Sequence, residues 1–244
     1  MNLRASLAAC APLLLVAAPV AAQTQIPTVP SAPDPLTTAA LLALLGLAPL
    51  VLVVTTSFAK FVVVLSLLRT ALGTPSVPPA IVVTSLALVL SAMVMAPVAE
   101  ETWRAAEPAV SEGRARWTDL DTALADVEAA ATPLRRFLAA NAGDAELEAV
   151  AELQGRDVGD DPLALPLVVV APAFALTELA EAFQIGFLLF LPFLVLDLLV
   201  GSVLMSLGMM MMSPMIVSLP FKLLLFVLVD GWALLMGSLA QSFL

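Results

Sequence analysis

Residues 81–98 run for 18 positions without a charged side chain. As a helix the stretch is about 27 Å long, close to the hydrocarbon thickness of a bilayer. A helix so apolar on every side belongs in lipid or in a fully enclosed core. The rest of the chain decides between them. Of its 244 residues, 61% are hydrophobic and 12% charged, where a soluble domain has about half and about a quarter. The fold class is therefore an all-α membrane protein.

The apolar sequence falls into two parts with a polar stretch between them. Residues 41–98 read as a first helical hairpin. Its leading arm, 41–72, carries only Lys60 and Arg69 as charges and is interrupted near its start by Gly46 and Pro49. The segment "RTALGTPSVPP" (69–79) supplies the turn. Residues 163–244 read as a second hairpin, with helical arms over 173–200 and 216–239. The run "SLGMMMMSPMI" (206–216) joins them, and Pro166, Pro172, Pro192, Pro214 and Pro220 mark kinks or breaks.

Between the hairpins the composition changes abruptly. Residues 99–161 hold 15 acidic and 6 basic side chains, a net of −9 out of −10 for the whole chain. "LDTALADVEAA" and "LRRFLAANAGDAELEAVAEL" are strong helix formers. Residues 99–162 are thus expected as a solvated insert of two or three short helices. Residues 1–22 have a charged start at Arg4, a short apolar run broken by Pro12 and Pro19, and small residues "VAA" at 20–22. They predict a secretory signal peptide. Residues 23–40 follow as a linker rich in Pro, Thr and Ser. Arg69 and Lys222 put both hairpin turns on the cytoplasmic side, and the insert and mature N-terminus on the other.

The missing residue types exclude much chemistry. There is no His and no Tyr, and the single Cys, Cys10, lies in the expected signal. A disulfide framework, a Cys/His zinc site and a serine triad all fall away. No glycine loop for a nucleotide is present, and the net negative charge argues against nucleic acid. The reading is of a non-enzymatic chain with no cofactor and no metal.

What remains is a handful of charges in apolar sequence: Lys60, Glu178, Glu181, Asp197, Lys222 and Asp230. An ionised group in hydrocarbon costs at least a few kcal/mol, so such groups face protein or a watery cavity. Glu178 and Glu181 share a helix face, and Asp197 and Lys222 can meet across the second hairpin. Pairing between helices or subunits is the favoured reading. The alternative is an ion-coupled secondary transporter using Glu178, Asp197 and Asp230. The four methionines, taken alone, read as core packing.

Four blocks carry a resemblance: "SFAKFVVVLSLLRTALGTPSVPP" (57–79), "ALVLSAMVMAPV" (87–98), "AFQIGFLLFLPFLVLDLLVGSVLMSLGMMMM" (182–212) and "SLPFKLLLFVLVDGWALLMGSLAQSF" (218–243). They resemble the FliP/SctR family, export-gate proteins of type III secretion systems in the bacterial inner membrane. "TELAEAFQ" and "SFAKF" look more like injectisome members, and the C-terminal block more like flagellar ones. The resemblance implies a homopentameric ring, joined by FliQ/SctS-like and FliR/SctT-like subunits, around a pore for unfolded export substrates. It also implies that Met209, Met210, Met211 and Met212 form a gasket in that pore. Methionine suits this role, being apolar, unbranched and adaptable.

Overall fold

The computed structural model describes residues 35–74, 77–111, 120–159 and 161–243. The expected signal peptide (1–22) and most of the expected linker lie outside the described residues. The chain divides into two compact units, 1–46 and 47–244. In the first, residues 35–46 are helical, so helix begins within the stretch expected as linker.

Eight α-helices and no strand occur among the described residues: α1 (Pro35–Thr55), α2 (Phe58–Ala71), α3 (Ala80–Ser111), α4 (Leu120–Asn141), α5 (Asp144–Leu153), α6 (Leu167–Ser206), α7 (Pro214–Leu228) and α8 (Gly231–Gln241). Two of them, α3 and α6, are long and apolar enough to cross a membrane. Counting each bent pair as one span raises the number to four.

The first apolar arm breaks at Thr56–Ser57, later than Gly46 and Pro49 suggested, with an 84° bend between the last turns of α1 and α2. Local hydroxyls explain the site. Thr55 and Thr56 donate back to the carbonyls of Val51 and Leu52 at 2.8 and 2.6 Å, a pattern that bends helices. Buried Ser57 donates to Ser91 of α3 at 3.2 Å. The second arm also runs on past its expected end. α3 continues through Pro97 and beyond Val98 to Ser111, because the Ala-, Glu- and Arg-rich sequence after Val98 favours helix. The described part of the acidic stretch thus holds the end of α3 followed by α4 and α5.

α6 is 40 residues long, about 60 Å. That is roughly twice a hydrocarbon core, and the helix has two different surroundings. Near its start, Val169, Val170, Ala173 and Phe174 pack with Leu138 of α4 and Leu147 and Val150 of α5. Further along, Ala182 and Phe193 join Phe61, Val64, Leu65 and Leu68 of α2, Val83 and Ala87 of α3, and Phe226 of α7. Phe137 of α4 and Phe243 touch both clusters and stack at 6.1 Å. Pro192, expected to interrupt the helix, lies within it; the helix continues with one backbone bond fewer.

The expected arm over 216–239 is two helices. α7 and α8 meet at 61°, with Asp230 in the left-handed conformation at φ 51°. Aspartate tolerates that region better than most residues. Gly231 then lets α8 pass against the Phe226 ring, where any side chain would collide. Trp232 meets the same ring edge-on at 5.3 Å.

Candidate functional site

The methionine turn is closed at both ends by specific backbone geometry. At the end of α6, Gly208 is left-handed (φ 75°). The Met209 N–H donates to Leu204 O at 2.9 Å and the Gly208 N–H to Met205 O at 3.0 Å. These two bonds are a Schellman cap. At the other end, extended Ser213 precedes Pro214 at the first position of α7, where proline lacks only a bond that would go unmade. Between them the Met212 N–H bonds Met209 O at 3.2 Å. The four methionines therefore occupy one short turn and point outward. Met211 is fully exposed, Met210 82% exposed, and Met209 and Met212 about half as much. They are not core residues of this chain.

An ion pair joins the two helices that flank the turn. Lys222 of α7 is buried and donates to Asp197 Oδ2 of α6 at 2.7 Å and to Ala71 O at 3.1 Å. Ala71 is the last residue of α2, so the ammonium also satisfies one of the carbonyls a helix end leaves open. Ser218, one turn before Lys222, donates to Asp197 Oδ1. Three helices thus converge on one ammonium. Close by, Gly73 of the first hairpin's turn faces Met215, whose Cε lies 3.4 Å from where a Cβ would stand.

A second ion cluster lies nearer the start of α6. Lys60 of α2 donates to Glu178 Oε1 at 2.9 Å and Glu181 Oε2 at 2.8 Å. Lys60 and Glu178 are both 1% exposed, while Glu181 is 46% exposed. The Phe243 ring lies 4.0 Å from the same ammonium, a favourable cation–π distance. The Ser242 hydroxyl accepts from it at 3.5 Å. Thr177, beside Glu178, accepts from the Gly143 N–H at 2.8 Å and so ties α6 to the α4–α5 turn.

Five of the six charges singled out from sequence are brought together in these two clusters. The sixth, Asp230, is exposed at the α7–α8 break and meets no cation among the described residues. Sequence reasoning missed Ser218, Thr177, Ser242 and Phe243. Only Ser218 carries a readable signal, its spacing of four residues before Lys222. No group of three or more acidic, His or Cys side chains among the described residues could hold a metal.

Against known proteins, the model of the FliP family matches residues 41–239. A flagellar biosynthetic protein FliP of Caulobacter vibrioides is 48% identical over 204 residues, covering 83% of this chain and 74% of that one. The FliP protein of Pectobacterium carotovorum is 46% identical over 206 residues, 84% of this chain and 78% of its own length. Yop proteins translocation protein R of Yersinia pestis is 40% identical over 215 residues, 86% of this chain and 97% of its own length. The family match takes in the first hairpin, most of the second, the ion-paired side chains of both clusters and the methionine turn, and on that span and those identities this chain belongs to the FliP family.

Proposed function

We propose that this chain is the core pore-forming subunit of a type III protein export gate in the bacterial inner membrane. It would pass unfolded substrate proteins, and its methionine turn would seal the pore. The observation that carries this reading is the turn itself. Four flexible apolar side chains are held in the open by a rigid cap and a proline. Leaving them in water is unfavourable at about 25 cal/mol per Å², so their partners lie outside this chain. A ring of such turns makes an apolar constriction that stops ions by dewetting, and thioethers adapt to whatever side chain passes. The names of the relatives, flagellar biosynthetic protein and Yop proteins translocation protein, point the same way.

A homopentamer joined by FliQ/SctS-like and FliR/SctT-like subunits is the assembly that fits the bare surface of α6. Phe183, Phe187, Leu194 and Leu198 are all at least half exposed. The insert and mature N-terminus would face the periplasm. The transporter alternative is weaker. It needs Glu178, Asp197 and Asp230 as free proton carriers, and a lysine holds each of the first two.

The test is to replace Met209–Met212 with alanine and measure ion leak across membranes containing the assembled complex. The expected outcome is a large rise in small-ion conductance with the complex still assembled. Unchanged tightness in an intact assembly would sink the seal.

A further inference from the structure

The two hairpins contain seven charged side chains: Lys60, Arg69, Glu178, Glu181, Asp197, Lys222 and Asp230. Five are consumed in the two clusters. Arg69 and Asp230 are left, one of each sign.

Each leftover group is poorly served within its own chain. Among the described residues Arg69 Nη1 donates to the Pro78 carbonyl, at a long 3.4 Å. Its Nε is buried and has no acceptor among the described residues. A guanidinium has five donors in a fixed fork and recognises a carboxylate with two of them at once. Asp230 is exposed, and so are the apolar side chains around it, Val227, Leu228, Val229, Trp232 and Leu234. A carboxylate in the middle of a bare apolar face calls for a cation when that face is covered. Trp232, two residues on, lines the same small apolar cavity of about 30 Å³ as Arg69. Yet the two charges make no ion pair within the chain.

We infer that Asp230 of one copy pairs with Arg69 of the next, and that the exposed α7–α8 face is the contact between copies. The occupant is a second copy of this chain because its charge is the complement left over. Asp230 offers two acceptor oxygens, and Arg69 offers a buried Nε with no acceptor among the described residues. The bend at Asp230 serves the same end, since it turns the carboxylate outward at the break. The inference rests on the ring proposed above and names the residues that join its copies.

Two experiments test it on the full chain in a Cys10→Ser background. In the first, two differently tagged copies are co-expressed, one with Arg69→Cys and one with Asp230→Cys, and treated in the membrane with a thiol-reactive cross-linker about 10 Å long, because an arginine–carboxylate pair holds its backbones too far apart for a direct disulfide. The expected product is a covalent heterodimer carrying both tags. A ring of normal mass with no such heterodimer overturns the pairing and leaves the ring standing; no oligomer of the chain with Arg69 and Asp230 intact overturns both. In the second, Arg69→Gln or Asp230→Asn alone should lower the assembled fraction about tenfold or more, because each strands one charge. The double neutral variant should recover most of it, and asparagine keeps the left-handed backbone. A double variant as poor as the worse single one contradicts the inference.

Discussion

Lys60 and Lys222 are both buried, and each is answered by carboxylates from α6. The two sites differ in what completes them. Lys222 is held by a serine-supported aspartate and a helix-end carbonyl. Lys60 is shared between two glutamates and covered by Phe243. Removing one partner of such a pair leaves the other charge stranded. Lys60→Met should therefore cost about 3–5 kcal/mol, while Lys60→Arg keeps the charge and most of the stability. The check is the melting temperature of the purified protein in detergent. An unchanged melting temperature for Lys60→Met would remove the cluster from the account. These charges stand out in sequence because they interrupt apolar runs. Their hydroxyl and aromatic neighbours do not, since a serine or phenylalanine in an apolar helix has many other reasons to be there.

The contact between α2 and α6 turns on one small residue. A side chain on Gly186 would run into Leu67 of α2, so the helices are close only because position 186 is glycine. Gly186→Ala should cost about 1–3 kcal/mol through overpacking. Adding Leu67→Ala should return part of that loss in the same melting assay. If the two changes simply add their costs, the close contact is not what Gly186 provides. Helix positions along the chain were largely readable from apolar length, as α3 and α6 show. Breaks were not. The bend at Ser57 comes from hydroxyl back-bonding, and the one at Asp230 from a left-handed aspartate followed by a glycine. Neither site carries a proline, and although Asp230 stands out as a charge, nothing about it in sequence marks a bend. The opposite case is Pro192, which stands out in sequence yet lies inside a continuous helix.

At the scale of the whole molecule, the chain leaves too much apolar surface open to be finished alone. Only 11% of the long apolar window of α6 is buried, and its exposed residues adjoin a methionine turn that is itself exposed. Lipid would satisfy the α6 face. It would not account for the charge of Asp230, nor for the closed backbone geometry that holds the four methionines in one turn. Neighbouring subunits would account for all three, and no single-chain reading of the sequence could show them as contacts. The most direct measurement is the native mass of the complex, extracted in mild detergent after co-expression with its FliQ/SctS-like and FliR/SctT-like partners. The account predicts five copies of this chain with the smaller subunits bound. A monomer or dimer without partners, under conditions that preserve a known export gate, would contradict it.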